Sequence, residues 1–315
     1  MRASRLRATL LAAAVTAAAL YFLLTDAVVA ALAAAVDNAD LPRLAAALAL
    51  VPLIQWLRAW RFGVLISGRL AMPDRDLIGI AALLNMFNFV LPFRIGEASF
   101  PIMMKRARGL GFARSTGILI LVRLMDLCAT TAILFGGAAA IYDAPVHGWS
   151  RPAFVGAAAA AAVALLALPA SGLIVHGGTT RLLRSMPRAL TLLDHLLSGA
   201  TTLRRPPQQA AMAALTLAIW GLHSLIAFLA ATAAVPGLPF PEVMVAGAAA
   251  NLAFALPISG IAGLGPAQAA WATALRLAGE AWEPAIVSAL SGYAVVLAGA
   301  VILGAAAYLL RRRRS

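Results

Sequence analysis

Long apolar runs are the feature that most constrains how this chain can fold. Six stretches are predominantly apolar over about 20 residues or more: 8–25, 44–66, 116–142, 153–175, 209–234 and 284–309. A helix of about 20 apolar residues spans a hydrocarbon core of about 30 Å. The chain is 63% hydrophobic and 12% charged, whereas soluble proteins are about 25% charged. The composition therefore predicts an all-α, multi-pass membrane protein.

Two further apolar regions, 77–104 and 241–279, are interrupted by proline and glycine. The first contains N-M-F-N-F-V-L-P-F-R-I-G-E (85–97), and the second contains F-A-L-P-I-S-G-I-A-G-L-G-P (254–266). Each interruption leaves two arms that are too short to cross a bilayer comfortably alone. Each region therefore forms one or two crossings, or a re-entrant hairpin that enters and leaves on the same side.

The distribution of positive charge favours re-entrant hairpins. If both regions are re-entrant, most of the 25 Lys and Arg residues fall on one side of the membrane. The positive-inside rule makes that side cytoplasmic. The prediction is six full transmembrane helices plus two re-entrant half-helix hairpins, with both termini cytoplasmic. Residues 1–150 and 151–315 then contain the same order of elements (span, span, re-entrant hairpin, span) in opposite orientations across the membrane, which is an inverted repeat. The motif F-x-L-P at 89–92 recurs at 254–257.

Several function classes are disfavoured by the sequence. The net charge of +13 comes from basic residues near span ends rather than from one soluble face, which argues against nucleic-acid binding. The four histidines lack metal-ligand spacing, and the single cysteine, Cys128, lies within an apolar run. No Gly-rich Walker sequence occurs. We therefore expect no metal and no cofactor.

The first break carries the main candidate site. Pro92 removes a backbone donor, and Gly96 permits a turn or a close approach to another backbone. A helix that begins after the break presents free N–H groups to an anion, and Arg94 adds a charge suited to phosphate. Because charge at membrane depth is costly and usually functional, Arg94 and Glu97 are predicted to bind substrate. The alternative is a structural Arg94–Glu97 pair.

Asn85 and Asn88 lie three residues apart, on one face of the arm before this break. They either line a cavity together with Arg94 and Glu97 or form hydrogen bonds with neighbouring helices. The second break carries no charge and is a weaker candidate. Its glycines either let the two hairpin tips pack closely or leave backbone groups facing a substrate. Its candidate residues are Pro257, Gly260, Gly263 and Gly265.

Two more charged pairs fall inside predicted spans. Arg123 and Asp126 have the i,i+3 spacing of a helical ion pair, and either stabilise the bundle or take part in gating. Arg58 and Arg61 lie near the predicted cytoplasmic end of their span. They either anchor the interface by snorkelling or contact lipid head groups.

With these residues, the chain resembles the lysylphosphatidylglycerol synthase transmembrane region. This is the flippase-like domain of the multiple peptide resistance factor, which also occurs as stand-alone proteins. The similar segments are N-x-x-N-x-x-L-P-x-R-x-G-E (85–97), V-R-L-M-D-L (122–127), R-A-W-R (58–61) and P-I-S-G-I-A-G-L-G (257–265). The chain departs from the family pattern at Phe100, Val122 and Gln268, where the family often has an arginine, a glutamate and a glutamate.

The resemblance implies a bacterial inner-membrane protein that moves or handles lipids, with Arg94 and Glu97 at its re-entrant motif. The leading hypothesis is a translocase for a phospholipid or a polyprenyl-phosphate lipid, with anionic membrane lipids as its partners. We do not expect an enzyme, because the chain lacks the soluble aminoacyl-transferase domain. The alternatives are an integral-membrane transferase for lipid-linked substrates and a non-transporting protein that presents lipid to a separate enzyme. A homo-oligomer or a lipid-modifying partner enzyme is left open.

Overall fold

The computed structural model describes residues 25–91, 96–142, 151–170, 203, 205–255 and 264–312. These residues form ten α-helices and contain no strand. In chain order the helices are α1 (Asp26–Asp37), α2 (Leu41–Ser67), α3 (Arg75–Val90), α4 (Ser99–Arg108), α5 (Phe112–Ile141), α6 (Arg151–Ala167), α7 (Pro206–Ala234), α8 (Phe240–Ala255), α9 (Pro266–Leu277) and α10 (Trp282–Arg312).

Among the described helices, five are long and apolar enough to cross a membrane: α2, α5, α6 with its 3₁₀ extension, α7 and α10. They coincide with five of the six predicted spans, and the remaining one, 8–25, lies outside the described residues. The prediction of an all-α, multi-pass membrane protein is confirmed. Hydrophobic side chains such as Val155, Val163 and Leu166 on α6 are exposed, as expected for a helix surface that faces lipid.

Local sequence fixes where several helices begin and end. The Asp40 carboxylate accepts a hydrogen bond from the Arg43 N–H at the start of α2. The Asp74 carboxylate does the same for the Leu77 N–H at the start of α3. These N-caps satisfy backbone donors that have no partner inside the helix. Gly68 ends α2 with a φ of 64°, in the left-handed region that favours glycine.

Both interrupted regions are pairs of short helices. α3 ends at Val90, and the chain is described again from Gly96, which opens a short 3₁₀ turn (96–98) before α4. The start of α3 and the end of α4 meet in an ion pair between Asp74 and Arg108. Nearby, the Arg114 guanidinium of α5 donates to the Ile66 carbonyl of α2 at 3.0 Å. The α3–α4 region therefore begins and ends at the same end of the bundle.

The α8–α9 region begins and ends at the other end of the bundle. The Tyr142 hydroxyl, just after α5, donates to the Ala274 carbonyl near the end of α9 at 3.0 Å. Glu242, at the start of α8, lies close enough to Glu280, just after α9, for the two carboxylates to repel. At this end the Arg43 guanidinium of α2 also donates to the Thr232 carbonyl of α7 at 3.2 Å.

Two helices of the first half have counterparts in the second half at the same offset along the chain. α2 and α7 begin 165 positions apart, as do α3 and α8, and the last two have 16 residues each. The packing is reciprocal: α3 lies against α10, while α8 lies against α5, and α2 packs along α7. Phe89 and Phe254, which correspond in the F-x-L-P motifs, stack with ring centroids 5.3 Å apart.

Glycines bring the two halves together. A Cβ on Gly304 of α10 would lie 2.4 Å from the Met86 Cβ of α3. A Cβ on Gly137 of α5 would lie 2.3 Å from the Val245 Cγ2 of α8. Both reciprocal contacts thus need a residue without a side chain, as is typical of close helix packing in membranes.

Candidate functional site

A polar cavity of about 410 Å³ lies inside the bundle, where the two halves meet. Its walls come from α2, α3, α5, α7, α8 and α10 and from the 3₁₀ turn after α3. We call its ionic part the charged compartment, defined by Arg58, Arg61, Glu97, Arg123 and Asp126. Since charges are rare within apolar bundles and usually functional, this is the principal candidate site.

Arg61 and Asp126 form the innermost ion pair. The two guanidinium nitrogens Nη1 and Nη2 of Arg61 lie 2.7 and 3.1 Å from the two carboxylate oxygens of Asp126. Arg61 Nη1 also donates to the Thr216 hydroxyl, and the Trp220 indole N–H donates to Asp126 Oδ1, both at 3.1 Å. Arg61 is 2% exposed. A bidentate pair with added hydrogen bonds is the arrangement that best offsets the cost of burying charge.

Arg123 connects this pair to the first broken region. Its Nε lies 2.9 Å from Glu97 Oε1 in the 3₁₀ turn, and its Nη1 lies 3.6 Å from Asp126 Oδ2. The predicted Arg123–Asp126 helical pair is therefore present. Arg123 and Glu97 are about 30% exposed, so this link is more accessible than the Arg61–Asp126 pair.

Arg58, Asn85 and Asn88 also line the cavity, on the side formed by α2 and α3. Arg58 Nη1 donates to Asn85 Oδ1 at 2.6 Å, which joins α2 to α3. Asn85 and Asn88 are both buried and both line the cavity, and Asn85 also bonds a neighbouring helix, so it fulfils both predicted alternatives. Within the described part of the chain, Asn88 Oδ1 and Gln55 Oε1 have no hydrogen-bond partner. Buried polar atoms of this kind are candidates for ligand contact.

The snorkelling interpretation is wrong for Arg61. Its guanidinium turns inward and is held by Asp126 and Thr216, because the Asp126 carboxylate offers it a bidentate ionic partner. Arg58 also lines the cavity. Contact of either arginine with a head group stays a prediction.

Several predicted residues lie outside the described residues: Pro92, Arg94, Pro257, Gly260 and Gly263. Two of the predicted glycines are described. A Cβ on Gly96 would lie 2.4 Å from the Phe87 carbonyl carbon, so the chain passes directly against the α3 backbone, the close approach predicted for this glycine. Gly265 has a φ of 122°, a conformation that L side chains rarely adopt.

A second compartment adjoins the first. It has a volume of about 100 Å³, and no charged residue lines it among the residues the structure describes. We call it the neutral compartment, defined by Trp220, His223, Asn251, Trp271 and Tyr293. Trp220, His223 and Asn251 line both compartments, so the two spaces share a wall.

Sequence reasoning missed the contribution of α7. Thr216, Trp220 and His223 follow one another at intervals of four and three residues, which places them on one face of a helix. A polar stripe of this kind in an otherwise apolar helix is a signal for a buried site. The offset of 165 residues between the two F-x-L-P motifs is a second signal, because the same offset separates His223 from Arg58.

The charge balance limits what the site can bind. Among the described lining residues, three guanidinium groups face two carboxylates. The site thus has an excess of positive charge and several side-chain hydrogen-bond donors. It suits a small anion such as a phosphate group. The described residues contain no group of three His, Cys, Asp or Glu side chains that could hold a metal ion.

Comparison with known proteins identifies the class. The family model for the lysylphosphatidylglycerol synthase TM region matches residues 9–304. The chain therefore belongs to this family, as the sequence motifs predicted, and is a multi-pass membrane protein related to lipid handling. No significant match was found among curated proteins or among solved structures.

Proposed function

We propose that the protein is a lipid translocase, which moves a phospholipid or a polyprenyl-phosphate lipid between the leaflets of the bacterial inner membrane. The observation that carries the proposal is the charged compartment, a polar cavity with excess positive charge inside a bundle of long apolar helices. A lipid that crosses the bilayer must take its charged head group through the hydrocarbon core. A cavity of this kind lowers the cost of that passage, because it replaces lost water with fixed donors.

Arg58 is the residue we assign to the lipid phosphate. Arg61 is fixed by the bidentate pair with Asp126, and Arg123 is shared between Glu97 and Asp126. Arg58 lines the cavity, and one of its hydrogen bonds goes to the amide oxygen of Asn85. A phosphate carries the negative charge that an amide oxygen lacks and matches the fork of donors on a guanidinium, so it can compete with Asn85 for Arg58. Arg94 is a second phosphate ligand, proposed from the sequence motif.

The Glu97–Arg123 pair is the element we expect to respond to the lipid. It joins the 3₁₀ turn of the first broken region to α5 and is partly exposed. A phosphate that approaches Arg123 competes with Glu97 for the same guanidinium. Displacement of Glu97 then releases the turn from α5, and in this way head-group binding is coupled to movement of the α3–α4 region.

An inverted repeat supplies the alternating access that this mechanism needs. Three observations support it: the 165-residue offset, the reciprocal packing of the two halves, and the location of the two broken regions at opposite ends of the bundle. In this proposal α3–α4 is a re-entrant hairpin from the cytoplasmic side and α8–α9 one from the outer side. Both termini are then cytoplasmic.

Leaflet exchange tests the function. Purified protein is reconstituted into liposomes with acyl-labelled fluorescent lipids, and dithionite bleaches the label in the outer leaflet only. We expect phosphatidic acid and phosphatidylglycerol to exchange faster than in protein-free liposomes, while labelled diacylglycerol, which lacks phosphate, gains no protein-dependent exchange. Failure of every phosphate-bearing lipid to exchange would overturn the proposal. Product formation from lipid-linked donors would then favour a transferase, and copurification of an enzyme without exchange would favour a lipid-presenting partner.

The single cysteine makes the topology testable. In a Cys128→Ala background, cysteines are introduced one at a time at four exposed positions: Ser67, Ala107, Asn38 and Arg276. A membrane-impermeant maleimide applied to intact cells should label the Asn38 and Arg276 positions only. Labelling of the Ser67 and Ala107 positions from opposite sides would show that α3–α4 crosses the membrane once and would exclude the re-entrant arrangement.

A further inference from the structure

We propose that Phe89 and Phe254 form a gate between the charged and the neutral compartments. The two stacked rings separate the spaces, and their movement apart opens a passage from one space to the other. The inference rests on the proposed function for what passes, a lipid head group. It adds the step that controls the passage: separation of two side chains, one from each half of the chain.

The two rings belong to the wall that the compartments share. Phe89 and Phe254 line both spaces, and their rings stack with centroids 5.3 Å apart and planes 25° apart. Each ring is half-buried and lies one residue before the end of its helix, α3 or α8. The stack therefore joins the ends of the first arms of the two broken regions.

The compartments extend in different directions from this wall. The charged compartment reaches α2 and Glu97 in the 3₁₀ turn, and the neutral compartment reaches α9. Among the described residues, no side chain of α9 lines the charged compartment, and none of α2 lines the neutral one. A ligand that visits both spaces must therefore cross the shared wall.

The stack is the part of that wall best suited to move. Trp220, by contrast, lies on the long helix α7 and donates its N–H to Asp126 at 3.1 Å. α3 packs mainly on α10 and α2, and α8 mainly on α9 and α5, so the rings meet between helices that do not lie along each other. An aromatic pair adds only a modest attraction beyond the area that it buries. Separation of the rings costs no side-chain hydrogen bond, because phenylalanine makes none.

The first broken region connects the gate to the charged compartment. The turn that carries Glu97 lies directly against the last turns of α3: a Cβ on Gly96 would lie 2.4 Å from the Phe87 carbonyl carbon and 2.6 Å from the Asn88 nitrogen. Phe89 is the next residue. Because no space separates the turn from α3, displacement of Glu97 by a phosphate moves the end of α3 and the ring it carries. Head-group binding in the charged compartment thus opens the gate.

Access of a thiol reagent to the neutral compartment tests the gate without lipid transport. In the Cys128→Ala background, Ser224→Cys places a thiol in the neutral compartment, because Ser224 lines that space and not the charged one. The anionic, membrane-impermeant reagent methanethiosulfonate ethylsulfonate is applied to inside-out membrane vesicles. It enters from the cytoplasmic side, and its charge favours entry into the charged compartment. Phe89→Ala and Phe254→Ala each remove one ring of the gate.

The matched control is Phe135→Ala. Phe135 stacks on Phe154 of a neighbouring helix, with centroids 6.0 Å apart and planes 26° apart, but it lines neither compartment. The control therefore removes one member of a similar stack at another place. Phe89→Leu is a milder variant, which loses the ring and keeps most of the apolar volume, for use if the alanine variant folds poorly.

We expect Phe89→Ala and Phe254→Ala each to raise the labelling rate by roughly 3- to 10-fold, the factor that corresponds to the loss of one aromatic pair. Phe89→Leu should raise it by less, and Phe135→Ala should leave it unchanged. Equal rates in all variants, or an equal rise in the Phe135→Ala control, would overturn the inference.

A reversible cross-link tests whether head groups use the gate. Phe89→Cys and Phe254→Cys are combined in the Cys128→Ala background, and a short bis-methanethiosulfonate reagent links the two thiols. Leaflet exchange of phosphatidylglycerol should stop in the linked protein, confirmed as such by its mass, and should return when a reductant removes the link. Exchange that continues in the linked protein would contradict the gate. If the unlinked protein shows no exchange, the translocase proposal fails, and the labelling rates decide the gate by themselves.

Discussion

The two compartments occupy related places in the two halves of the chain but differ in chemistry. Arg58 in α2 and His223 in α7 lie 165 positions apart, and both line the cavity. The charged compartment is built mainly by the first half, whereas Trp271 and Tyr293 of the neutral compartment come from the second. The difference shows that positions 165 residues apart can carry different chemistry at one cavity: a guanidinium at Arg58 and an imidazole at His223.

The two compartments are also stabilised in different ways. The charged one depends on a buried ion pair with every charge opposed by a partner or a donor. The neutral one depends on ring contacts and on small residues: a Cβ on Gly247 would lie 3.4 Å from Trp271 Cζ3. Substitutions that open the buried ion pair of the charged compartment should therefore cost the most stability.

The largest expected effect on stability comes from opening the buried pair. Asp126→Leu leaves Arg61, which is 2% exposed, without its carboxylate. We expect it to lower the free energy of unfolding by about 3–5 kcal/mol, the usual cost of leaving a buried charge unpaired. Denaturant titration in mixed micelles measures the change.

The matched control for this effect is the double variant Arg61→Met with Asp126→Leu. It removes both charges and should recover most of the lost stability, because a well-packed apolar pair is often as stable as a buried ion pair. If the single and double variants are equally unstable, the effect comes from packing and not from charge.

A smaller loss is expected where the halves touch through glycine. Gly137→Ala places a Cβ 2.3 Å from Val245 Cγ2, and relief of that overlap should cost about 1–3 kcal/mol of unfolding free energy. The neighbouring Gly136→Ala is the control. Its Cβ would lie 3.7 Å from the Ala158 Cβ, in ordinary contact, and alanine favours the helix. Equal stability of both variants would contradict the close approach of α5 and α8.

The smallest effect concerns the end of the α3–α4 region. Burial raises the pKa of Asp74, but the hydrogen bond from the Leu77 N–H and the Arg108 guanidinium outweigh it, so the pKa lies below its ordinary value of 3.8. A carboxyl group whose pKa is lowered by folding stabilises the folded state at pH values above its ordinary pKa. This contribution to the free energy of unfolding disappears as the pH falls through the pKa of the folded state.

Asp74→Asn keeps an N-cap residue and removes the charge. It should be slightly less stable than wild type at pH 7, because the pair with Arg108 is lost. The difference should close as the pH falls below about 4. Thermal unfolding as a function of pH measures this convergence, and a gap that stays constant with pH would assign the effect to something other than Asp74 ionisation.

Much of the architecture could be predicted from the sequence, because apolar length alone identifies a spanning helix. Five spans and both interrupted regions lie where their composition placed them. The ion pairs could not be predicted in the same way. Arg61 and Asp126 are 65 positions apart, and only the packing of α2 against α5 and α7 shows that the arginine turns inward. The partner of Glu97 on α5, Arg123, depends on tertiary contact for the same reason.

The central claim, that the charged compartment binds the phosphate of a transported lipid, is tested most directly at Arg58. Leaflet exchange of fluorescent phosphatidylglycerol is compared in liposomes with wild-type protein, with Arg58→Ala and with Arg106→Ala, an exposed arginine of α4 away from the cavity. The account predicts that Arg58→Ala slows exchange at least about tenfold, in line with the loss of one charge-assisted hydrogen bond, while Arg106→Ala retains the wild-type rate. Equal rates for all three proteins would contradict it.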